Sequence, residues 1–434
     1  MRKIKYQLWE ELSSQMFLHY NSFSNQFLLL NEKKHNHYLL DDISDLEIKE
    51  PSLYQLLLNG QFVVSDNFDE AELTFYRRKL MQFDTSMYQI MINTTLDCNL
   101  NCWYCYENKV QGSRLTDEVV EAIEKNILYE YGRIPYSTIK ISFFGGEPFL
   151  YFKGIEQILN YANMFCQERN LKLIVDFTTN ATLITKEQID FLKQFECHFQ
   201  IPIDGSRRIH NLIKKDKLQV ADTYQQTMEA LRLINEHIPN RWIAVRVNFD
   251  NRVLRDIDEI IADISFLDRK NSYVILKKVW QIPTDKVNKE MLHVAIQKFF
   301  DNKFRLDYYI MPKSCICFAE RNRMTLFNYD GKVFKCSTIS SFDDENALGE
   351  LCFETGEVKW NENKMAYWMK DMSPEKCIQC EWYPACLGPC NKQLMAHKGK
   401  QMCTFDAMNM DRKEYLMYAF KFQLLQKEIE SADK

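Results

Sequence analysis

Three cysteines, Cys98, Cys102 and Cys105, occupy the run Thr94-Thr-Leu-Asp-Cys98-Asn-Leu-Asn-Cys102-Trp-Tyr-Cys105-Tyr. This CxxxCxxC spacing offers three thiolates from one short loop. A closed zinc site or a complete four-iron cluster takes four protein ligands, so three predict a metal centre with one coordination position left for something else. An open position on a metal implies chemistry.

The chain has 14 cysteines, and nine more fall in a second set: Cys315, Cys317, Cys336, Cys352, Cys377, Cys380, Cys386, Cys390 and Cys403. Within it, Cys377-x2-Cys380-x5-Cys386-x3-Cys390-x12-Cys403 follows Cys317-x13-Gly331-x4-Cys336. Thiolate-rich sites of this kind suit zinc and iron–sulfur alike, and a CxxC knuckle is a common tetrahedral zinc element. The remaining two read as small buried hydrophobes. Cys166 closes the helical stripe Ile155, Ile158, Leu159, Ala162, and Cys197 precedes a strand-like run.

These residues need elements to hold them. Short runs rich in β-branched and aromatic residues predict strands at Tyr88–Asn93, Thr138–Phe144, Leu171–Thr178, His198–Ile203, Trp242–Asn248 and Tyr273–Trp280. Helical patterns separate them. One starts after Thr116, carries Val119, Val120, Ile123, Ile127 and Tyr131 on one face, and is expected to stop at Gly132 through a left-handed turn. Another opens on Thr185-Lys-Glu-Gln188, the form of a capping box. Six β–α units in succession predict an α/β fold, a partial (β/α)6 TIM-like barrel over residues 86–305. Active sites of such barrels lie at the carboxyl ends of the strands, and the cysteine triplet follows the first strand.

The second strand runs directly into Gly145-Gly146-Glu147-Pro148. Glycines permit close backbone approach or positive φ, the carboxylate can accept from an ammonium group, and proline fixes the turn. Alone, such a turn is an ordinary strand-to-helix connection. One strand after CxxxCxxC it carries more weight.

Together these motifs resemble the radical S-adenosylmethionine superfamily. The resemblance implies a [4Fe–4S] cluster on Cys98, Cys102 and Cys105, with the fourth iron chelated by the amino and carboxylate groups of S-adenosylmethionine. Reductive cleavage of the sulfonium then yields a 5′-deoxyadenosyl radical that abstracts a substrate hydrogen. By the same resemblance Tyr104 packs against the adenine, Gly145, Gly146 and Glu147 hold the methionine ammonium, and Asn180 and Arg246 contact the cofactor. Family-like segments also stand at Thr178–Thr182, at Ile203-Asp204-Gly205 with His210-Asn211, and at Arg246-Val-Asn248. Two positions depart from the pattern. Pro202 stands where relatives often have serine and offers no hydroxyl or amide donor, and Lys214 replaces a frequent arginine whose bidentate fork it cannot reproduce. Asp204 is equally suited to cap the following turn.

The second cysteine set resembles a SPASM domain with two auxiliary [4Fe–4S] clusters. That implies Cys377, Cys380, Cys386 and Cys403 for one cluster, and Cys336, Cys390 and Cys317 with Cys315 for the other, Cys352 competing for the last place. The expected organisation is an N-terminal α+β module (1–85), the barrel (86–305), the auxiliary-cluster domain (306–405) and a C-terminal helix (406–434). In the module, strands are expected at Met16–Tyr20, Gln26–Asn31, Tyr38–Leu40 and Phe62–Val64, with a helix at Ser52–Leu58. Relatives carrying such a module often act on a ribosomally made precursor peptide, which can add a strand to an exposed edge. The resemblance therefore implies an oxidoreductase, a peptide maturase that installs a thioether or carbon–carbon crosslink, with epimerisation also open. Anaerobic sulfatase maturation is the alternative. In those relatives an aspartate proposed as the base follows the segment resembling Gly331-Lys-Val-Phe-Lys-Cys336; here Ser337 follows, and an unassisted serine is a poor base. A non-catalytic metal-bearing peptide-binding protein is the remaining reading.

Composition bounds all of this. A chain of 434 residues with 46% hydrophobic and 13% aromatic residues affords a large core. A formal charge of −5 provides no general attraction to nucleic acid. With no apolar run of membrane-spanning length and no signal-peptide pattern after Met1, a cytoplasmic protein with reduced thiols is expected. The resemblance to the radical S-adenosylmethionine superfamily further implies an electron donor such as flavodoxin or ferredoxin.

Overall fold

A computed structural model of the chain describes residues 1–218, 220–279, 286–307, 316–339, 341–370, 373–396, 403–407 and 410–431. Cys315 and Trp280 lie outside the described residues. The chain forms two compact units: Met1–Gln82 with Tyr309–Cys317 and Asp371–Glu428, and Phe83–Tyr308 with Phe318–Lys370 and Ile429–Lys434.

In the first unit, Gln7–Ser13, Met16–Asn21 and Gln26–Asn31 pair antiparallel in that order. Four helices follow, Glu32–Leu40, Ile43–Lys49, Pro51–Asn59 and Glu70–Gln82. Leu30, Tyr38, Leu46, Leu53, Leu57 and Phe62 form one core. Tyr38–Leu40, expected as a strand, is the last turn of a helix. Asn31 caps that helix by accepting from the Lys34 N–H, and a three-residue apolar run cannot by itself tell a strand from a buried helical turn. A second core joins Ile4, Tyr6, Phe23 and Val64 to Tyr383, with Cys377 and Ile378 packed against it. The first residues and the cysteine-rich segment thus share one hydrophobic cluster. The amphipathic C-terminal helix spans Arg412–Ser431 and buries Tyr415, Leu416, Ala419 and Leu425.

The second unit contains the barrel. Its six strands, Met87–Thr95, Thr138–Gly145, Lys172–Thr178, Glu196–Pro202, Arg241–Phe249 and Ser272–Lys278, are parallel and adjacent in chain order. Each is followed by helix. The capping box at Thr185 is made in both directions. The helix after Thr116 continues through Gly132 to Arg133 and ends on Ile134 in extended conformation, so no left-handed turn terminates it. The sheet also extends on both sides. Leu306–Asp307 lies parallel to the sixth strand, while Met324–Phe327 lies parallel to the first and leads into three antiparallel strands, Lys332–Phe334, Gly349–Leu351 and Val358–Trp360. Cys166 and Cys197 are buried in the second barrel helix and fourth strand.

Candidate functional site

The cysteine loop leaves the carboxyl end of the first barrel strand, and the glycine turn leaves the end of the second. Backbone bonds join them: the Gly146 N–H donates to the Thr95 carbonyl and the Glu147 N–H to that of Asp97, each at 2.9 Å. The glycines are required by this contact. A Cβ on Gly145, whose φ is +112°, would stand 2.1 Å from the Thr95 carbonyl oxygen, and one on Gly146 would stand 2.1 Å from that of Asp97. Their first task is to let one strand end press against the base of the cysteine loop.

Glu147 points inward. Its carboxylate is fully buried and accepts from the Phe149 N–H at 3.0 Å, the Thr179 hydroxyl at 2.6 Å and the Asn180 N–H at 2.7 Å. Burial pushes this acid up to about 7, and the three donors pull the other way. Burying an ionised carboxylate costs several kcal/mol, which three charge-assisted bonds of about 1.5–3 kcal/mol each can offset. The side chain therefore braces the ends of the second and third strands.

Donors also surround the first cysteine. The Cys98 sulfur accepts from the Leu100 N–H at 3.4 Å and from the Asn180 amide at 3.8 Å, while Asn180 also donates to Asn99 at 2.9 Å. Burial, then the Glu147 charge, pushes the Cys98 thiol up to about 12. Such a thiol gives up its proton when a metal replaces it, and N–H groups aimed at the sulfur favour the resulting thiolate. A three-cysteine loop with these donors fits a cluster ligand set. Among the described residues, no three Cys, His, Asp or Glu side chains converge on a single ion. A four-iron cluster does not require that, since each thiolate binds its own iron.

Tyr104 is fixed by its hydroxyl. It donates to Asp204 and accepts from Lys214 Nζ at 3.1 Å and Asn248 Nδ2 at 3.2 Å. Asp204 does not cap the next turn; it accepts from the Asn248 N–H at 3.0 Å and pairs with Lys214 at 3.3 Å. Arg246 is half-buried and donates to Asn248 Oδ1 at 2.9 Å, joining the same group. Sequence reading did not single out Asp97, which accepts from the Cys98 N–H at 2.8 Å and pairs with Lys217 at 2.9 Å. An acid directly before the first cysteine of the triplet was the available signal.

The other cysteines divide between the units. In the first, Cys377, Cys380, Cys386 and Cys403 line one cavity of about 90 Å³ with Trp382, Tyr383, Phe405 and Arg412. Burial pushes Cys386 up to about 11 and raises Cys377. Cys317 and Cys390 belong to this unit too. Cys336 and Cys352 belong to the second, where Cys336 is buried with its sulfur 3.2 Å from the Thr338 hydroxyl. Hydrogen bonds from Thr355 hold the Cys352 thiol below its ordinary range. Tyr106, next to Cys105, donates to the Ser337 carbonyl at 3.3 Å.

Comparison with known proteins agrees with this geometry. A family model described as the radical SAM superfamily matches residues 92–264. The chain is 25% identical over 361 residues to a cysteine-type anaerobic sulfatase-maturating enzyme of Clostridium perfringens, spanning 74% of this chain and 93% of that protein. The solved structure of native anSMEcpe with bound AdoMet and Kp18Cys peptide superposes with a TM-score of 0.59 at 20% identity, over 80% of this chain and 99% of that one. Streptococcus suis SuiB bound to precursor peptide SuiA superposes with a TM-score of 0.51 at 14% identity, over 94% and 99%.

Proposed function

We propose that this chain, whose residues 92–264 match the radical SAM superfamily model, is a peptide maturase of the SPASM type that crosslinks a ribosomally made precursor peptide. Cys98, Cys102 and Cys105 hold the radical-generating cluster, and the turn at Gly145–Glu147 receives the amino-acid part of the cofactor through its backbone, the Glu147 carboxylate being already engaged. Bound there, cluster and cofactor supply a radical that removes a hydrogen atom from the peptide. This chain's residues do the positioning. Asn180 and the Leu100 amide orient the Cys98 sulfur, Tyr104 is held by Asp204 and Lys214, and Asn248 ties Arg246 to them. In the first unit, Cys377, Cys380, Cys386 and Cys403 hold an auxiliary four-iron cluster in their shared cavity.

The observation carrying the peptide reading is that the fold shared with a precursor-peptide complex spans 94% of the chain, whereas the fold shared with the sulfatase-maturase structure leaves a fifth of it unmatched. The N-terminal module offers an edge for a leader segment, since among the described residues Gln7–Ser13 pairs only with Met16–Asn21. Sulfatase maturation is the second reading, favoured by the 25% identity to that enzyme. Ser337 argues against it, offering no carboxylate where that reaction's base is expected. A reducing compartment, the cytoplasm, and a flavodoxin or ferredoxin donor suit the oxygen-sensitive clusters of this reading. Among the described residues no helix is long and apolar enough to cross a membrane.

Anaerobic reconstitution with S-adenosylmethionine, dithionite and a candidate precursor peptide tests the reading. It predicts 5′-deoxyadenosine together with a peptide lighter by two hydrogens. A formylglycine mass on a sulfatase peptide would transfer the conclusion to the second reading, and zinc without deoxyadenosine would end both.

A further inference from the structure

The cysteine loop is fastened to another part of the barrel mouth by two independent sets of contacts. One is backbone. The Asn101 N–H donates to the Lys215 carbonyl at 2.7 Å, the Lys217 N–H donates to the Asn99 carbonyl at 3.3 Å, and Leu100 forms an isolated antiparallel bridge with Asp216. The other is the phenol of Tyr104, which lies between Cys102 and Cys105 and reaches Asp204, Lys214 and Asn248. Asp204 follows the fourth barrel strand, Asn248 lies near the end of the fifth, and Lys214 caps the short helix Arg207–Ile213. The loop from the first strand is thereby tied to the fourth and fifth.

The interior of this attachment is dry and charged. Side-chain exposure is 0% for Asp204 and 5% for Lys214. Burial is the largest single influence and opposes the lysine charge, but the attraction of Asp204 together with that of its other neighbours, Tyr104 and Cys102, outweighs it and holds Lys214 well above the ordinary lysine range. The Asp204 N–H donates to His210 Nδ1 at 3.2 Å, so the acid is fixed from its own backbone as well. A buried charged pair with every partner placed resists rearrangement, because moving any member strands another without water. Such a pair adds little net stability, but it specifies one arrangement.

We propose that Tyr104, gripped by the Asp204–Lys214 pair, is a latch that presets the cysteine loop across the barrel mouth before a cluster is assembled on it. Lys214 is then a positioning residue acting through the phenol. The idea rests on the functional reading only in that this loop ligates a cluster.

Cys98 reports on the latch. It is buried, 8% exposed, so an alkylating reagent reaches it only when the loop opens, whereas Cys105 is exposed. Iodoacetamide labelling of the metal-free full-length chain, read by mass spectrometry, measures that opening without any cofactor or activity. Tyr104→Phe keeps the ring and removes only the hydroxyl, and with it the bonds to Asp204, Lys214 and Asn248, so labelling of Cys98 should accelerate at least about ten-fold, the effect expected from losing even one charge-assisted hydrogen bond. Lys214→Met should do the same and Lys214→Arg should restore part of the protection. Cys166 and Cys197, buried in the barrel wall, should stay unlabelled throughout. After anaerobic reconstitution, Tyr104→Phe should broaden the electron paramagnetic resonance signal of the reduced triplet cluster. Equal Cys98 labelling in wild type, Tyr104→Phe and Lys214→Met overturns the latch. So does simultaneous exposure of Cys166 and Cys197 in both variants, since a latch opens locally. If the wild-type triplet takes up no iron, the functional reading falls while the labelling result still decides the latch.

Discussion

The two cysteine sites are built by opposite strategies. On the barrel, three thiols come from eight consecutive residues, and the surrounding groups are polar: Glu147, Asp204, Lys214 and Asn248 are buried and Asn180 is half-buried. In the first unit, four thiols come from segments up to 26 positions apart and face a cavity with Trp382, Tyr383 and Phe405. The first site is incomplete in ligands and rich in fixed dipoles, as suits a centre that must bind and orient a reacting molecule. The second has a full set of thiolates inside an aromatic wall. Under the proposed function that arrangement would partly screen a closed cluster from solvent, and solvent exposure is one of the factors that set a cluster's potential.

This contrast can be broken experimentally. Cys102→Ser should have the largest effect, abolishing 5′-deoxyadenosine formation and removing about four irons per chain. Cys380→Ser should also remove about four irons, yet leave peptide-independent cofactor cleavage in place. If it abolishes cleavage as well, the two sites are not separable in the way their surroundings indicate. Gly146→Ala tests the packing beneath the open site. Its methyl group would meet the Asp97 carbonyl, and a backbone oxygen cannot swing aside like a flexible side chain, so a loss of about 1–3 kcal/mol in denaturant unfolding is expected.

Acid should act on both units alike and most gently. Burial lowers His19 in the first unit and His210 in the second to about 3 each. Unfolding lets both bind protons at their ordinary value near 6.5. The unfolded state therefore holds more protons between pH 3 and 6.5, so stability is full above that range and falls as pH drops through it. Each histidine should cost about 1 kcal/mol between pH 6.5 and 5.5, read as lower melting temperatures. His19→Gln should flatten the slope of the first unit alone, and a slope unchanged by it would show that another group controls that unit.

The barrel was legible because its strands are short, β-branched and separated by well-capped helices, and because Thr138–Gly145 ends in glycines that nothing but a tight approach requires. The triplet was legible from spacing. What could not be read was direction. The Glu147 carboxylate accepts from Thr179 and Asn180, partners 32 and 33 residues away that its own strand-end motif does not announce. Tyr104 was read as a ring for stacking, while its hydroxyl contacts residues 100 to 144 positions distant. Gln7–Ser13 escaped notice because two adjacent glutamates lower its strand propensity, and only pairing with Met16–Asn21 makes it a strand. Local pattern reports which element forms; the partners of a buried polar group are set by topology.

The strand Met324–Phe327 pairs with the first barrel strand, and Asn93 and Asn328, 235 residues apart, are joined by a hydrogen bond. During synthesis the first strand therefore emerges long before its neighbour on that side. Until the chain has grown past residue 327, one edge of the strand leading to Cys98 lacks its native partner, and an unpaired edge is a template for wrong association. Pairing over such a span is also slow to form. The strand that carries the cysteine loop is thus translated early and completed late, an interval in which its open edge is what a chaperone has most reason to cover.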